Sequence, residues 1–180
     1  ATEPVISLVQ PEWTPELEIS HWPGRTNVVE YGLSHVAHLF TPRQLASLTC
    51  LSALVNDARE RVRIDARYLV TEADQVSLSD GGVSTTAYAD AISVYLAMLI
   101  DKLADYNSTL VAWSPTRDQA KTTFSRQALP MTWDFAELNM FAGAAGDIAV
   151  SVDGMIRVVA HLGNGNPSAS AVGQDAQSQT

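Results

Sequence analysis

The chain has 180 residues, 46% of them apolar and only 17% charged, which suits one folded domain with a sizeable core and excludes wholesale disorder. Eleven Lys and Arg stand against twenty Asp and Glu, a formal charge of −9, which argues against autonomous wrapping of DNA, where phosphate neutralisation supplies most of the affinity. A single cysteine, Cys50, excludes an internal disulfide and any zinc site built on two or more cysteines, and points to a reducing cytoplasm.

No run of about 18 consecutive apolar residues occurs, so no transmembrane helix is expected. No basic stretch followed by an apolar run opens the chain, so no signal peptide is expected either. The chain begins Ala-Thr-Glu-Pro without methionine and stops at Gln-Ser-Gln-Thr, as expected of a piece of a longer protein.

Residues 1–40 carry Pro4, Pro11, Pro15 and Pro23 between short β-branched runs, so no long helix can pass through them. Val5–Val9 and Asn27–Tyr31 are candidate strands, and the segment is expected to pack on a helical bundle as an irregular or β element. Thr41-Pro42-Arg43-Gln44 then reads as a helix start, with Thr41 as N-cap, Pro42 at the first helical position and Gln44 closing a capping box. The predicted helix runs to about Val70, with Leu45, Leu48, Leu51, Val55, Ala58 and Val62 on its buried stripe.

Residues 71–83 are polar and end in Asp80-Gly81-Gly82, a loop signal. A second helix over about 84–106 follows, capped by Ser84, Thr85 or Thr86, with Tyr88, Ala91, Ile92, Tyr95, Leu96, Leu99 and Leu103 as its stripe. Val94, Met98 and Ile100 make it apolar almost all round, which places it centrally. Ser114-Pro115 reads as the start of a third helix to about Gln127, ended by Pro130, and Trp133–Phe141 as one or two helical turns. Asp147 or Ser151 caps a last helix ending near His161 and Leu162. Residues 163–180 have no apolar period and read as a linker. The expectation is a mainly α domain over 41–162, a bundle around the 84–106 helix.

Several residue groups have chemical and bland readings side by side. Phe141-Ala-Gly-Ala-Ala-Gly146-Asp147 invites comparison with the glycine loop that holds S-adenosylmethionine, but the second glycine is one place late and no strand precedes it; a plain loop is favoured. His35 and His38 have i,i+3 spacing with Glu30 the nearest third group, and no metal is assigned. Asp90, Asp101 and Asp105 on the second helix read as a solvated face rather than acid–base groups. Arg59, Arg63 and Arg67 form one i,i+4 row, beside Asp57, Arg61 and Asp65; the row is either internally paired or tracks phosphates. Around the Pro130 break stand Arg126, Gln127, Trp133, Asp134, Glu137 and Asn139. Arg and Gln suit base edges or phosphates, and Trp suits stacking on a base. Alternatively Asp134 caps a short helix with Glu137 at N3, and Trp133 fills core.

Four stretches in order carry a family resemblance: Leu39-Phe-Thr-Pro-Arg-Gln-Leu45; Tyr88-Ala-Asp-Ala91 with Tyr95-Leu96; Asp101-Lys-Leu-Ala-Asp-Tyr-Asn-Ser108; and Arg126-Gln-Ala-Leu-Pro-Met131 with Trp133-Asp-Phe-Ala-Glu137. Over roughly residues 31–162 the chain resembles large bacterial and archaeal proteins described as adenine-specific DNA methylases containing a zinc ribbon. The resemblance implies a parent enzyme that methylates the exocyclic N6 of adenine from S-adenosylmethionine. Enzymes of that kind need a glycine loop and an Asp-Pro-Pro-Tyr tetrapeptide, and this chain has neither, nor the ribbon's cysteine pairs. It is therefore expected to be an internal, non-catalytic helical domain with no cofactor of its own. Its partners are then the rest of the methyltransferase chain, and DNA if it lines the cleft. The cleft candidates are Arg126, Gln127, Trp133, Asp134, Glu137 and Asn139, with Arg59, Arg63 and Arg67, and further basic groups at Arg117 and Lys121. The competing expectation is a helical protein–protein interaction module without DNA contact.

Overall fold

The computed structural model describes residues 11, 13–68, 75–144 and 146–162. They form a mainly helical structure with three α-helices and one small two-stranded sheet. Helix α1 spans Pro42–Asp65, α2 spans Thr85–Tyr106 and α3 spans Ile148–His161. The candidate strand Val5–Val9 and the linker 163–180 lie outside the described residues.

Helix α1 starts as its sequence dictates. The Gln44 N–H donates to the Thr41 hydroxyl at 3.3 Å, and the Thr41 N–H donates to Gln44 Oε1 at 2.8 Å. The helix ends at Asp65, short of the expected Val70, and a 3-10 turn follows over Ala66–Tyr68. Helix α2 keeps its expected span. It lies antiparallel to α1: Leu48 near the start of α1 meets Leu99 and Leu103 near the end of α2, while Arg59 and Asp90 meet at the opposite ends. The first residue of helix α3, Ile148, donates its N–H to the Met140 carbonyl at 2.9 Å, and the helix lays Ile148, Val152 and Met155 on the same core. These three sit at i, i+4 and i+7, one face of a helix.

The expected apolar stripes are only partly buried. Leu48, Leu99 and Leu103 are core residues, whereas Tyr88, Val94 and Met98 are exposed. On the first turns of α2 the small residues Ala87 and Ala89 are buried instead.

A second apolar cluster joins the N-terminal segment to the stretch after α2. Val28, Leu39 and Leu110 are its buried members, and Phe40 touches both clusters. The expected strand at Asn27–Tyr31 is a 3-10 helix, closed by Gly32 at φ +90°, a conformation glycine adopts without penalty. The N-terminal segment contributes one isolated bridge, Glu18 with His35.

The stretch from 113 to 141 departs most from expectation. No helix runs from Ser114 to Gln127. Strands β1, Trp113–Ser114, and β2, Gln119–Ala120, form a short antiparallel hairpin with Asp118 left-handed at φ +50° in its turn. The following chain is pinned by tertiary bonds rather than by helical ones. The Thr123 N–H and hydroxyl both donate to the Asp105 carbonyl, at 2.9 and 2.7 Å, and the Phe124 N–H donates to the Asp105 carboxylate at 2.8 Å. Nor are there helical turns over Trp133–Phe141: the Ala136 N–H donates to the Val111 carbonyl at 2.7 Å, and the chain is irregular.

Candidate functional site

The hairpin and the strap after it line a cavity of about 470 Å³ that is open to solvent. Arg117 lies in the hairpin turn, Lys121 follows β2, and Arg126 lies on the strap; all three line the cavity. Ser114, Thr116 and Ser125 add hydroxyls to the same wall. A smaller cavity of about 170 Å³ shares Lys121 and Arg126 and continues toward Pro130 and Thr132.

The cleft is held from below by the end of α2. The Ser108 and Thr123 hydroxyls meet at 2.7 Å, both buried, and the Leu110 N–H donates to Ser108 Oγ at 3.0 Å. The Lys121 N–H donates to the Ala112 carbonyl at 2.8 Å, which fixes the backbone at the base of its side chain. Two carboxylates stand nearby. Asp105 faces the Phe124 N–H, and Asp118 is exposed at the hairpin turn. None of the three cleft cations forms an ion pair with a described residue.

The arginine row of α1 is organised differently. Arg59 pairs with Asp90 at 2.6 Å, Arg63 with Glu60 at 2.6 Å, and Arg61 with Asp65 at 3.0 Å. Arg67 lies beyond the helix end, in the 3-10 turn, so the i,i+4 row does not continue to it. The Leu78 N–H and then the Arg59 guanidinium hold the Asp90 carboxyl below the usual carboxylate range. Glu60 is lowered in the same direction by its hydrogen bond to Arg63.

The Arg126–Asn139 candidates are not one constellation. Arg126 and Gln127 are exposed on the strap, and Arg126 belongs to the cleft. Glu137 grips Arg43 of α1 through both carboxylate oxygens, which holds its carboxyl below the ordinary value and fastens the irregular chain to the first turn of α1. Asp134 is exposed and caps no helix. Asn139 Oδ1 accepts the Phe141 N–H at 3.0 Å, a local turn contact. Trp133 is 73% exposed and so does not fill core; its ring stands edge-to-face with Tyr31, centroids 5.2 Å apart.

The glycine stretch is tied to the start of α3. Its Gly143 N–H donates to Asp147 Oδ2 at 2.7 Å, and Asp147 Oδ1 takes the Val150 N–H at 3.1 Å as the N-cap of α3. These bonds, Gly143 first, hold the Asp147 carboxyl low. Gly146 takes φ +86°, the left-handed region that favours glycine, so it serves the turn into α3. The histidines and aspartates are likewise separate. The His35 and His38 rings touch at 5.2 Å, Glu30 faces His21 instead, and Asp90 and Asp105 have their own partners. Among the described residues no three His, Cys, Asp or Glu side chains converge as metal ligands. No described helix is long and apolar enough to cross a membrane.

Sequence reasoning named Arg117, Lys121 and Arg126 but placed them on a helix, and it missed Ser114, Thr116 and Ser125. The dense Ser and Thr content of 114–125 was the available signal, because such side chains compete for backbone bonds and disfavour helix interiors. Comparison with family models, curated proteins and solved structures finds no match.

Proposed function

We propose that this chain is a non-catalytic helical domain of an S-adenosylmethionine-dependent DNA adenine-N6 methyltransferase, and that its hairpin cleft holds the phosphate backbone of the substrate. The observation that supports this most is the convergence of Arg117, Lys121 and Arg126 on one open cleft with no described carboxylate paired to them. Three cations stand together on this cleft in a chain of net charge −9, against the two neighbouring carboxylates Asp105 and Asp118. Guanidinium, ammonium and hydroxyl donors are the groups that contact phosphate oxygens and set register without reading sequence. The paired Arg59 and Arg63 are ill placed for that work, because contacting phosphate would cost them their carboxylates. Adenine specificity and methyl transfer belong, in this reading, to the rest of the parent chain.

The test is anisotropy with labelled adenine-containing oligonucleotides at low salt, comparing wild type with Arg117→Gln, Lys121→Gln and Arg126→Gln combined. The reading expects salt-sensitive binding by wild type and its loss in the triple variant. Absence of binding at low salt would overturn it.

A second reading is a protein-interaction module. It is favoured by the exposed apolar residues Met98 on α2 and Ile156 and Val158 on α3, at 55%, 59% and 62% exposure. Replacing the three with polar residues would then abolish self-association or partner capture while leaving the fold intact.

A further inference from the structure

We infer that the two cavities form one bipartite site for a nucleotide with a terminal phosphate, the larger cavity taking the phosphomonoester and the smaller the nucleoside. The inference rests on the phosphate-holding reading of the cleft and adds the chemistry of what it holds. Lys121, Thr122, Ser125 and Arg126 line both cavities, so the two share one wall. Beyond that wall the linings differ. Ser114, Thr116, Arg117 and Gln119 belong to the larger cavity alone, and Leu110, Ala112, Ala128 and Pro130 to the smaller alone. One side offers a cation and polar donors; the other offers aliphatic surface.

Size and charge both favour such a ligand. The larger cavity, about 470 Å³, falls within the roughly 300–1,000 Å³ of small-molecule sites, whereas the smaller, about 170 Å³, falls below it and works as an annex of its neighbour. No described carboxylate lines either cavity: Asp105 and Asp118 lie outside both linings, and Asp105 receives the Phe124 N–H. A phosphodiester inside a strand carries one negative charge. A terminal phosphate carries about −1.5 to −2 near neutral pH and presents three acceptor oxygens, which suits three converging cations better. The nucleoside attached to that phosphate then has aliphatic surface to bury against across the shared wall.

Both walls of the annex are held by tertiary bonds. On the shared side the Lys121 N–H donates to the Ala112 carbonyl at 2.8 Å and the Thr123 N–H to the Asp105 carbonyl at 2.9 Å. On the far side the Leu129 N–H, between Ala128 and Pro130, donates to the Arg25 carbonyl at 2.6 Å, and the Thr132 hydroxyl donates to the Leu110 carbonyl at 3.3 Å. Walls fixed in this way lose little further order when a ligand enters.

The test is calorimetric titration of the full chain at low salt and neutral pH. The probes are inorganic phosphate, thymidine 5′-monophosphate, and oligothymidylate with and without a 5′-phosphate. The nucleotide is expected to bind on the order of 10-fold more tightly than inorganic phosphate, and the 5′-phosphate to tighten oligothymidylate by a similar factor. Arg117→Gln, at a residue of the larger cavity alone, is expected to weaken every probe. Ala128→Leu, which fills the smaller cavity, is expected to abolish the nucleotide's advantage and leave inorganic phosphate unchanged; Ala112→Val makes the same test if that variant does not fold. Tightening by the 5′-phosphate without binding of the free nucleotide assigns the site to strand ends, and binding of both assigns it to terminal phosphates from either source. If the nucleotide binds no better than inorganic phosphate and oligothymidylate is indifferent to its 5′-phosphate, yet Arg117→Gln still weakens the strand, the bipartite site is overturned and the phosphate cleft stands. If wild type binds no strand at low salt, the phosphate cleft fails and the bipartite site with it.

Discussion

The Arg59 guanidinium of α1 meets the Asp90 carboxylate of α2 at 2.6 Å, and the second Asp90 oxygen takes the Leu78 N–H at 3.0 Å. One aspartate thus joins both long helices and the 3-10 turn between them, at the end of the pair away from Leu48, Leu99 and Leu103. An arginine from the apparent basic stripe and an aspartate from the apparent acidic face neutralise each other. Both residues are explained by architecture.

Asp90→Asn should therefore lower stability at neutral pH by about 1 kcal/mol, a value kept modest because the pair is only partly shielded from water. The Asp90 carboxyl is held below its ordinary value in the folded chain. Its stabilisation is then fully present above the unfolded carboxylate range, near pH 4, and is lost as pH falls through the lower folded value. Urea melts of wild type and variant should converge in acid and separate toward neutrality. A gap that widens as pH falls would contradict this assignment.

Leu103 is 1% exposed, in contact with the core residues of α1 and α3. Leu103→Ala should cost about 2–5 kcal/mol through lost burial and a residual cavity. Leu54→Ala on the outer side of α1, where the side chain is 49% exposed, should cost within about 0.5 kcal/mol. Chemical denaturation of the two variants separates a true helical core from a loosely associated helix pair, for which the two costs would be alike.

Asp147 holds the loop before α3 and the first turn of α3 with one carboxylate. Asp147→Ala should lower the melting temperature and speed hydrogen exchange at the Gly143 and Val150 amides. Asp147→Asn, which keeps an acceptor at the cap, should restore much of the protection. Unchanged exchange at both amides in the alanine variant would show that the cap bonds do not form.

Local signals made the helices legible. The Thr41–Gln44 capping box, the Asp147 cap and the helical apolar period of 85–106 are local signals, and each produced the element it implied. The hairpin at 113–120 was hidden because its support is non-local. Asp105, Ser108 and Ala112 supply the partners that Thr123, Phe124 and Lys121 take in place of helical ones. The Ser114-Pro115 pair suggested a helix start, yet Pro is equally at home in a turn. Gly32 was the overlooked sign at 27–31, since a glycine directly after the run closes a 3-10 turn there. The site was legible as residue types and not as a place. Arg117, Lys121 and Arg126 stood out for charge, and only the hairpin brings them to one cleft. Glu137 looked like a site residue because its partner, Arg43, lies far away in sequence.

The central claim is that the hairpin cleft, and not the α1 row, meets nucleic-acid phosphates. The most direct measurement compares salt slopes of oligonucleotide binding for two neutralised variants of equal charge, one at Arg117, Lys121 and Arg126, the other at Arg59, Arg63 and Arg67. The cleft variant should lose affinity and should shallow the slope of log K against log salt by about 0.7–0.9 for each phosphate contact removed, while the α1 variant should keep the wild-type slope. A slope that falls in the α1 variant and is unchanged in the cleft variant would contradict the account.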